Sequence, residues 1–321
     1  MHEHVTPAGK DGHTAGPDTP DLAVAGSSED DAAARRGFLL AFSAYFVWGF
    51  MPFYMKAIAH IPAIEVVAHR VIWSVPVAGA VLLALGRTAD LKIALRSPRT
   101  LAMAALTAAL ISVNWGIYIW AIAVERTVES ALGYYINPLM TVLLGATLLG
   151  ERLDRMQIIA IALAVVAVAV LTVESGGVPW VSLSLALTFA AYGYFRKTLP
   201  IGPSQGFFLE VLLLAAPCLA YIVWLEASGE GHFLGGSWAD VGLLVLAGPF
   251  TAIPLILYGF GAKMLRISTI GIMQYITPTL IALIAVFAFG EPFGLDRMIA
   301  FALIWVALAL YSWSVLFRRR T

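Results

Sequence analysis

Ten long apolar stretches follow one another along the chain, at residues 38–58, 64–85, 101–122, 127–149, 157–173, 180–198, 207–226, 240–261, 269–289 and 296–316. None alternates as a strand does. Each is close to the roughly 20 residues that a helix needs to cross a hydrocarbon core about 30 Å thick. Lipid offers a backbone no hydrogen-bond partner, so helices are the economical way to span it. The pattern predicts an all-α membrane protein of ten transmembrane helices. Residues 1–34 are instead polar and hold one base and seven acids, a net charge of −6. That composition cannot bury a core and reads as a disordered acidic tail. It lacks the apolar region of a signal peptide. His2, His4 and His13 are spaced through it and read as solvated side chains rather than a metal tract.

Composition sharpens the class. Across 321 residues, 60% are hydrophobic and 12% charged, against about 25% charged in a soluble domain. An ordinary soluble enzyme is excluded. The net charge of zero hides a partition. With a cytoplasmic N-terminus, 16 of the 20 Lys and Arg residues fall on inside segments, and only Arg126 and Arg297 lie in outside loops. That is the asymmetry of the positive-inside rule, and it puts both termini in the cytoplasm. Arg318, Arg319 and Arg320, in the short basic end 317–321, read as an anchor near anionic lipid, so no nucleic-acid partner is expected. Cys218 is the single cysteine, which excludes an intrachain disulfide and a cysteine metal site. No phosphate-binding loop for ATP and no hydrolase or zinc-protease motif occurs. Neither a cofactor nor a metal is expected.

The chain repeats itself. At a shift of 140 residues, Tyr135-Ile136-Asn137-Pro138 falls on Tyr275-Ile276-Thr277-Pro278, Gly150-Glu151 on Gly290-Glu291, and Tyr118 on Tyr258. Five spans per repeat is an odd number, so the second copy inserts upside down. The expected architecture is a 5+5 inverted repeat, with halves at 35–173 and 178–316, as in many secondary transporters. Pro138 and Pro278 would kink spans four and nine at corresponding places. Paired interruptions of this kind point to a midplane transport site, the rival reading being two packing kinks. Trp48, Asn114, Trp115, Tyr118, Tyr135, Asn137, Gln274 and Tyr275 lie near them and form the candidate substrate cavity. Any single aromatic could instead belong to an interfacial belt.

Charges left in or near spans are Lys56, Glu65, Arg70 and Glu210, together with His69. Intramembrane charge defaults to function. Glu65 and His69 are four residues apart, so they share a helix face and can pair. Arg70 can snorkel outward, pair with a carboxylate, or bind an anionic group. These five are candidate gating or coupling residues, with a structural ion-pair network as the alternative. Gly150-Glu151 and Gly290-Glu291 read as helix ends, with each acid at the positive start of the next helix. Ala160 and Ala164 allow close helix contact, for scaffolding or a homodimer.

Several of these segments together resemble the EamA family of the drug/metabolite transporter superfamily, in its RarD branch. They are Ala44-Tyr45-Phe46-Val47-Trp48-Gly49, Ile64 to Ser74, Asn114-Trp115, Tyr118-Ile119-Trp120, Glu129 to Pro138, Gly150 to Leu153, Gln274 to Pro278 and Gly290-Glu291-Pro292. The resemblance covers about residues 36–316. It implies a ten-helix basket with a central cavity lined by spans one, three, four, six, eight and nine. It also implies a permease of a bacterial inner membrane that exports small metabolites or drug-like solutes. No enzyme activity is expected. A membrane-embedded enzyme using Glu65 and His69, or a scaffold without transport, is the rival.

Overall fold

The computed structural model describes residues 22–86, 88–150, 153–175, 177–265, 269 and 273–317. Among the described residues there is no strand. The helices are α1 (Leu22–Ala57), α2 (Ala63–Ala84), α3 (Ala89–Leu95), α4 (Pro98–Ala123), α5 (Thr127–Leu149), α6 (Arg155–Ser175), α7 (Trp180–Thr198), α8 (Pro203–Ser228), α9 (Trp238–Met264), α10 (Ile276–Leu283) and α11 (Leu295–Phe317). A π-helical turn, Ile284–Ala288, continues α10. Eight of these helices are long and apolar enough, by length and composition, to cross a membrane. The other two spans read from the pattern differ. α7 has 19 residues and is diluted by serines, threonines and tyrosines. Around 269–289, Gln274 and Tyr275 form a turn, and helix resumes at Ile276.

Two further differences from the sequence reading have plain causes. α1 begins at Leu22, inside the segment read as a disordered tail. Ala32, Ala33 and Ala34 are strong helix formers and carry the helix backward from its apolar part. His2, His4, His13, Glu151 and Arg318 to Arg320 lie outside the described residues. α3 was not expected, because seven residues are too few to register as a span.

Local chemistry sets the ends. Ser97 caps α4 by accepting from the Thr100 N–H at 3.3 Å, with Pro98 in the first turn. Ser237 and Asp240 form a reciprocal capping box on α9. Asp154 and Gln157 exchange the same two bonds at the start of α6. Gly150 and Gly290 follow helical segments at φ +66° and +68°, a left-handed conformation that glycine adopts without steric cost. The acid after Gly290 does not serve the helix that follows it. Glu291 accepts from the Thr127 and Val128 N–H groups at 2.7 and 2.9 Å, capping α5 across the bundle. The unpaired donors of any helix start attract a carboxylate, whatever its place in the chain.

Short connections make successive long helices antiparallel. One end of the bundle collects Ala57, Ala63, Thr127, Ser228 and Trp238 (the Glu65 end). The other collects Ala84, Pro98, Thr198, Pro203 and Met264 (the Arg196 end). α1 packs on α9, α2 on α8 and α9, α4 on α7 and α8, α5 on α7, α10 on α1 and α5, and α6 on α11. Ala160, Ala164 and Ala167 are buried in one cluster with Ala300, Ile304 and Ala307. The small residues of α6 are therefore spent inside the chain. Val165, Val223, Phe287 and Trp313 face outward, as lipid-facing side chains do. The chain is a multi-pass membrane protein.

Candidate functional site

A cavity of about 810 Å³ lies between the helices, large enough for a drug-sized solute. Its wall draws on α1, α2, α4, α5, α7, α8, α9 and the segment 274–281. Trp48, Trp115, Tyr118, Asn137, Gln274 and Pro278 are in that wall, as are Arg70 and Glu210. Asn114, Tyr135 and Tyr275 are not. Asn114 is fully buried between helices, donating to the Leu185 carbonyl at 3.0 Å and to Thr188 Oγ1 at 2.8 Å. Tyr135 bonds Thr279 Oγ1 at 2.5 Å and packs on Tyr275, Phe301 and Trp305. Tyr134, its neighbour, faces the cavity instead. Adjacent helical residues are about 100° apart, so Tyr134 and Tyr135 point to different surroundings.

The two prolines differ. Pro138 sits inside the continuous α5. It has no N–H for the Tyr134 carbonyl one turn back. Pro278 lies in the first turn of α10, after the break at Gln274 and Tyr275. A first-turn N–H has no helical partner, so proline costs little there. The expected kink in span nine is thus a break followed by a new helix.

The cavity is one-sided. Leu85, Arg196, Ser204 and Phe260 line it, so it reaches the Arg196 end. Near that end Glu210 accepts from Thr107 Oγ1 at 2.7 Å and lies 3.5 Å from the Arg196 guanidinium. Toward the Glu65 end it stops, because side chains and a loop fill the space. Glu65 accepts from both the backbone N–H and Nδ1 of His232, each at 2.8 Å. Glu226 holds the next two N–H groups, of Phe233 and Leu234. The Phe233 ring then stacks on His69 at 5.0 Å and packs on Trp73. Tyr54 OH donates to the Leu243 carbonyl, tying α1 to α9. His60 bonds Asp240 at 2.8 Å, and Lys56 pairs with Glu125 at 3.2 Å.

Glu65 and His69 therefore do not pair with each other, as their spacing had allowed. Glu65 satisfies two donors from a loop 167 residues away, while His69 is buried by a phenyl ring. Glu226, Phe233 and Arg196 were missed by the sequence reading. Glu226 and Phe233 meet through a loop, and no local spacing signals that. No group of three or more metal-ligating side chains occurs among the described residues.

The EamA-like transporter family model matches residues 35–173. A protein named RarD from Streptomyces exfoliatus is 41% identical over 282 residues, 88% of this chain and 90% of that one. Protein RarD of Escherichia coli is 38% identical, covering 91% and 98%. An uncharacterized transporter of Vibrio cholerae is 41% identical, covering 88% and 94%. A solved structure titled only "Crystal structure of protein" aligns with a TM-score of 0.53 at 22% identity, over 88% of this chain and 98% of that one. That last likeness speaks to the fold alone. With relatives of this identity spanning nearly their whole length, the chain belongs to the EamA-like transporter family, in its RarD-type group.

Proposed function

We propose that this protein is a secondary carrier, which moves a mid-sized, partly apolar solute across a bacterial inner membrane by alternating access. The observation that carries the proposal is the one-sided cavity, open at the Arg196 end and packed shut at the Glu65 end. A carrier needs such a state, and needs its mirror image. The helix packing supports the 5+5 inverted repeat. Let α1, α2, α4, α5 and α6 exchange with α7, α8, α9, α10 and α11. The observed pairs then map onto one another: α1 with α9 becomes α7 with α4, and α5 with α7 becomes α10 with α1. The pairs α2–α8, α5–α10 and α6–α11 map onto themselves. In this reading the halves are 35–173 and 178–316. The excess of basic residues toward the Arg196 end supports a cytoplasmic position for it. The state described is then inward-open, the state in which an exporter loads.

Proteoliposomes containing the full chain test this. The expected result is saturable, ATP-independent flux of at least one member of a broad solute panel, reduced several-fold by Asn137→Ala. If no solute moves, or Asn137→Ala leaves the flux unchanged, the carrier or its site is wrong. Chemical conversion without net flux would point to a membrane enzyme instead.

A further inference from the structure

Among the described residues, the cavity wall holds three charged side chains, Arg70, Arg196 and Glu210. Arg196 and Glu210 offset each other as an ion pair, which leaves Arg70. It is almost completely buried, at 6% exposure, so it has not snorkelled to an interface. No ion pair to it occurs among the described residues, and its Nε has no hydrogen-bond partner. Two of the three options that its position in the sequence left open are thereby closed.

The central carbon of the Arg70 guanidinium lies 3.5 Å from the centroid of the Trp115 ring, a face-to-face stacking distance. Stacking uses the face of the guanidinium and leaves its edge, with its N–H donors, free for a planar acceptor. Nearby, the Tyr118 hydroxyl is buried without a partner, and both Trp115 and Tyr118 line the cavity. Burying a cation this deeply is costly unless something pairs with it. The protein holds the cation, the stacking platform and a spare hydroxyl ready, and lacks only the anion.

We infer that the cavity takes an organic monoanion, an aromatic or apolar body bearing a carboxylate that docks on Arg70 beside Trp115. The net charge of the three wall residues is one positive, which one carboxylate balances. This deepens the carrier reading by naming the charge of its solute, but the binding itself does not require transport.

The test uses the full-length protein in detergent, with matched aromatic probes: indole-3-acetate, its neutral amide indole-3-acetamide, and the cation tryptamine. Binding is read by tryptophan fluorescence and by thermal shift. The acid should bind at least tenfold more tightly than the amide, and tryptamine should not bind. Arg70→Gln should abolish the preference for the acid, while Arg70→Lys, which keeps the charge and loses the fork, should restore part of it. Equal binding of acid and amide, no binding of the acid, or an unchanged preference in a folded Arg70→Gln protein each overturn the inference. The same pairs are then run in proteoliposomes. An acid that binds through Arg70 without being moved counts against the carrier and not the site. A neutral or cationic solute moved independently of Arg70 counts against the site and not the carrier.

Discussion

The two ends of the bundle use similar chemistry for opposite results. Each has a buried glutamate held by hydrogen bonds, Glu65 at one end and Glu210 at the other. Glu65 spends its oxygens on the backbone and ring of a loop residue, so a loop is drawn over the helices. Glu210 spends its oxygens on Thr107, Tyr192 and Arg196, all on helices, and the space beside it stays open. A carboxylate that binds loop backbone closes an end; one that binds only helix side chains braces the wall. His69 and Glu210 are related by a shift of 141 residues, so under the proposed repeat nearly equivalent places serve different purposes in this state.

The comparison breaks most severely at Gly248. A Cβ there would lie 2.3 Å from the backbone of Trp73, the residue that backs the Phe233 plug. A side-chain neighbour could rotate away, but backbone cannot. Gly248→Ala should separate α2 from α9 and destabilise by about 3 kcal/mol or more, the upper range for overpacking. Folded yield and the detergent melting temperature measure this. Normal values would show that the Glu65 end is not tightly packed.

Next in size is Glu65→Ala, which removes both bonds to His232. Hydrogen bonds to a charged group contribute about 1.5–3 kcal/mol each. Losing them should raise the population open at the Glu65 end by at least tenfold. A cysteine at Leu255, in the cavity wall, reports it in a Cys218→Ser background. A membrane-impermeant maleimide should reach that cysteine from one side in the parent and from both sides in the variant. Labelling that stays one-sided would mean that the loop is not what shuts this end.

The helices were legible because lipid imposes length and apolarity on each of them separately. Two of their ends were legible in local glycines, Gly150 and Gly290, while the caps at Ser97 and Ser237 were not read. The partners at the closed end were not, because Glu65 meets His232 across 167 residues, and an i,i+4 spacing permits a pair without requiring one. The cavity was half legible for a similar reason. Asn114-Trp115, Tyr134-Tyr135 and Gln274-Tyr275 are neighbours, and in each pair one member lines the cavity and the other packs elsewhere. Composition marks the pair, while the helix rotation that chooses between its members is set by tertiary packing.

A smaller effect is expected at the open end. Arg196→Ala leaves Glu210 buried with only its neutral partners. Breaking a fully buried pair costs about 3–5 kcal/mol. Water in the cavity should hold the cost here to roughly 2 kcal/mol, because Arg196 is partly exposed. Adding Glu210→Gln should recover most of the lost melting temperature, since no charge then remains unpaired. A double variant less stable than the single would show that the pair does not act as a unit.

The smallest effect sharpens the comparison most, because it repeats the Gly248 substitution at the open end. Gly193 lies within α7 and lines the cavity, and a Cβ there would meet nothing within 4 Å. Alanine in a helix interior is favoured over glycine by about 0.5–1 kcal/mol. Gly193→Ala should therefore raise the melting temperature by about 2 °C, with solute binding almost unchanged. The added methyl occupies space that a bound solute would share, so any loss of affinity should grow with the size of the probe. One methyl group thus carries opposite signs at the two ends, destabilising where helix backbones touch and stabilising where they leave room. If both substitutions destabilised alike, α7 would have to pack more tightly than its open face allows, and the asymmetry between the ends would be lost.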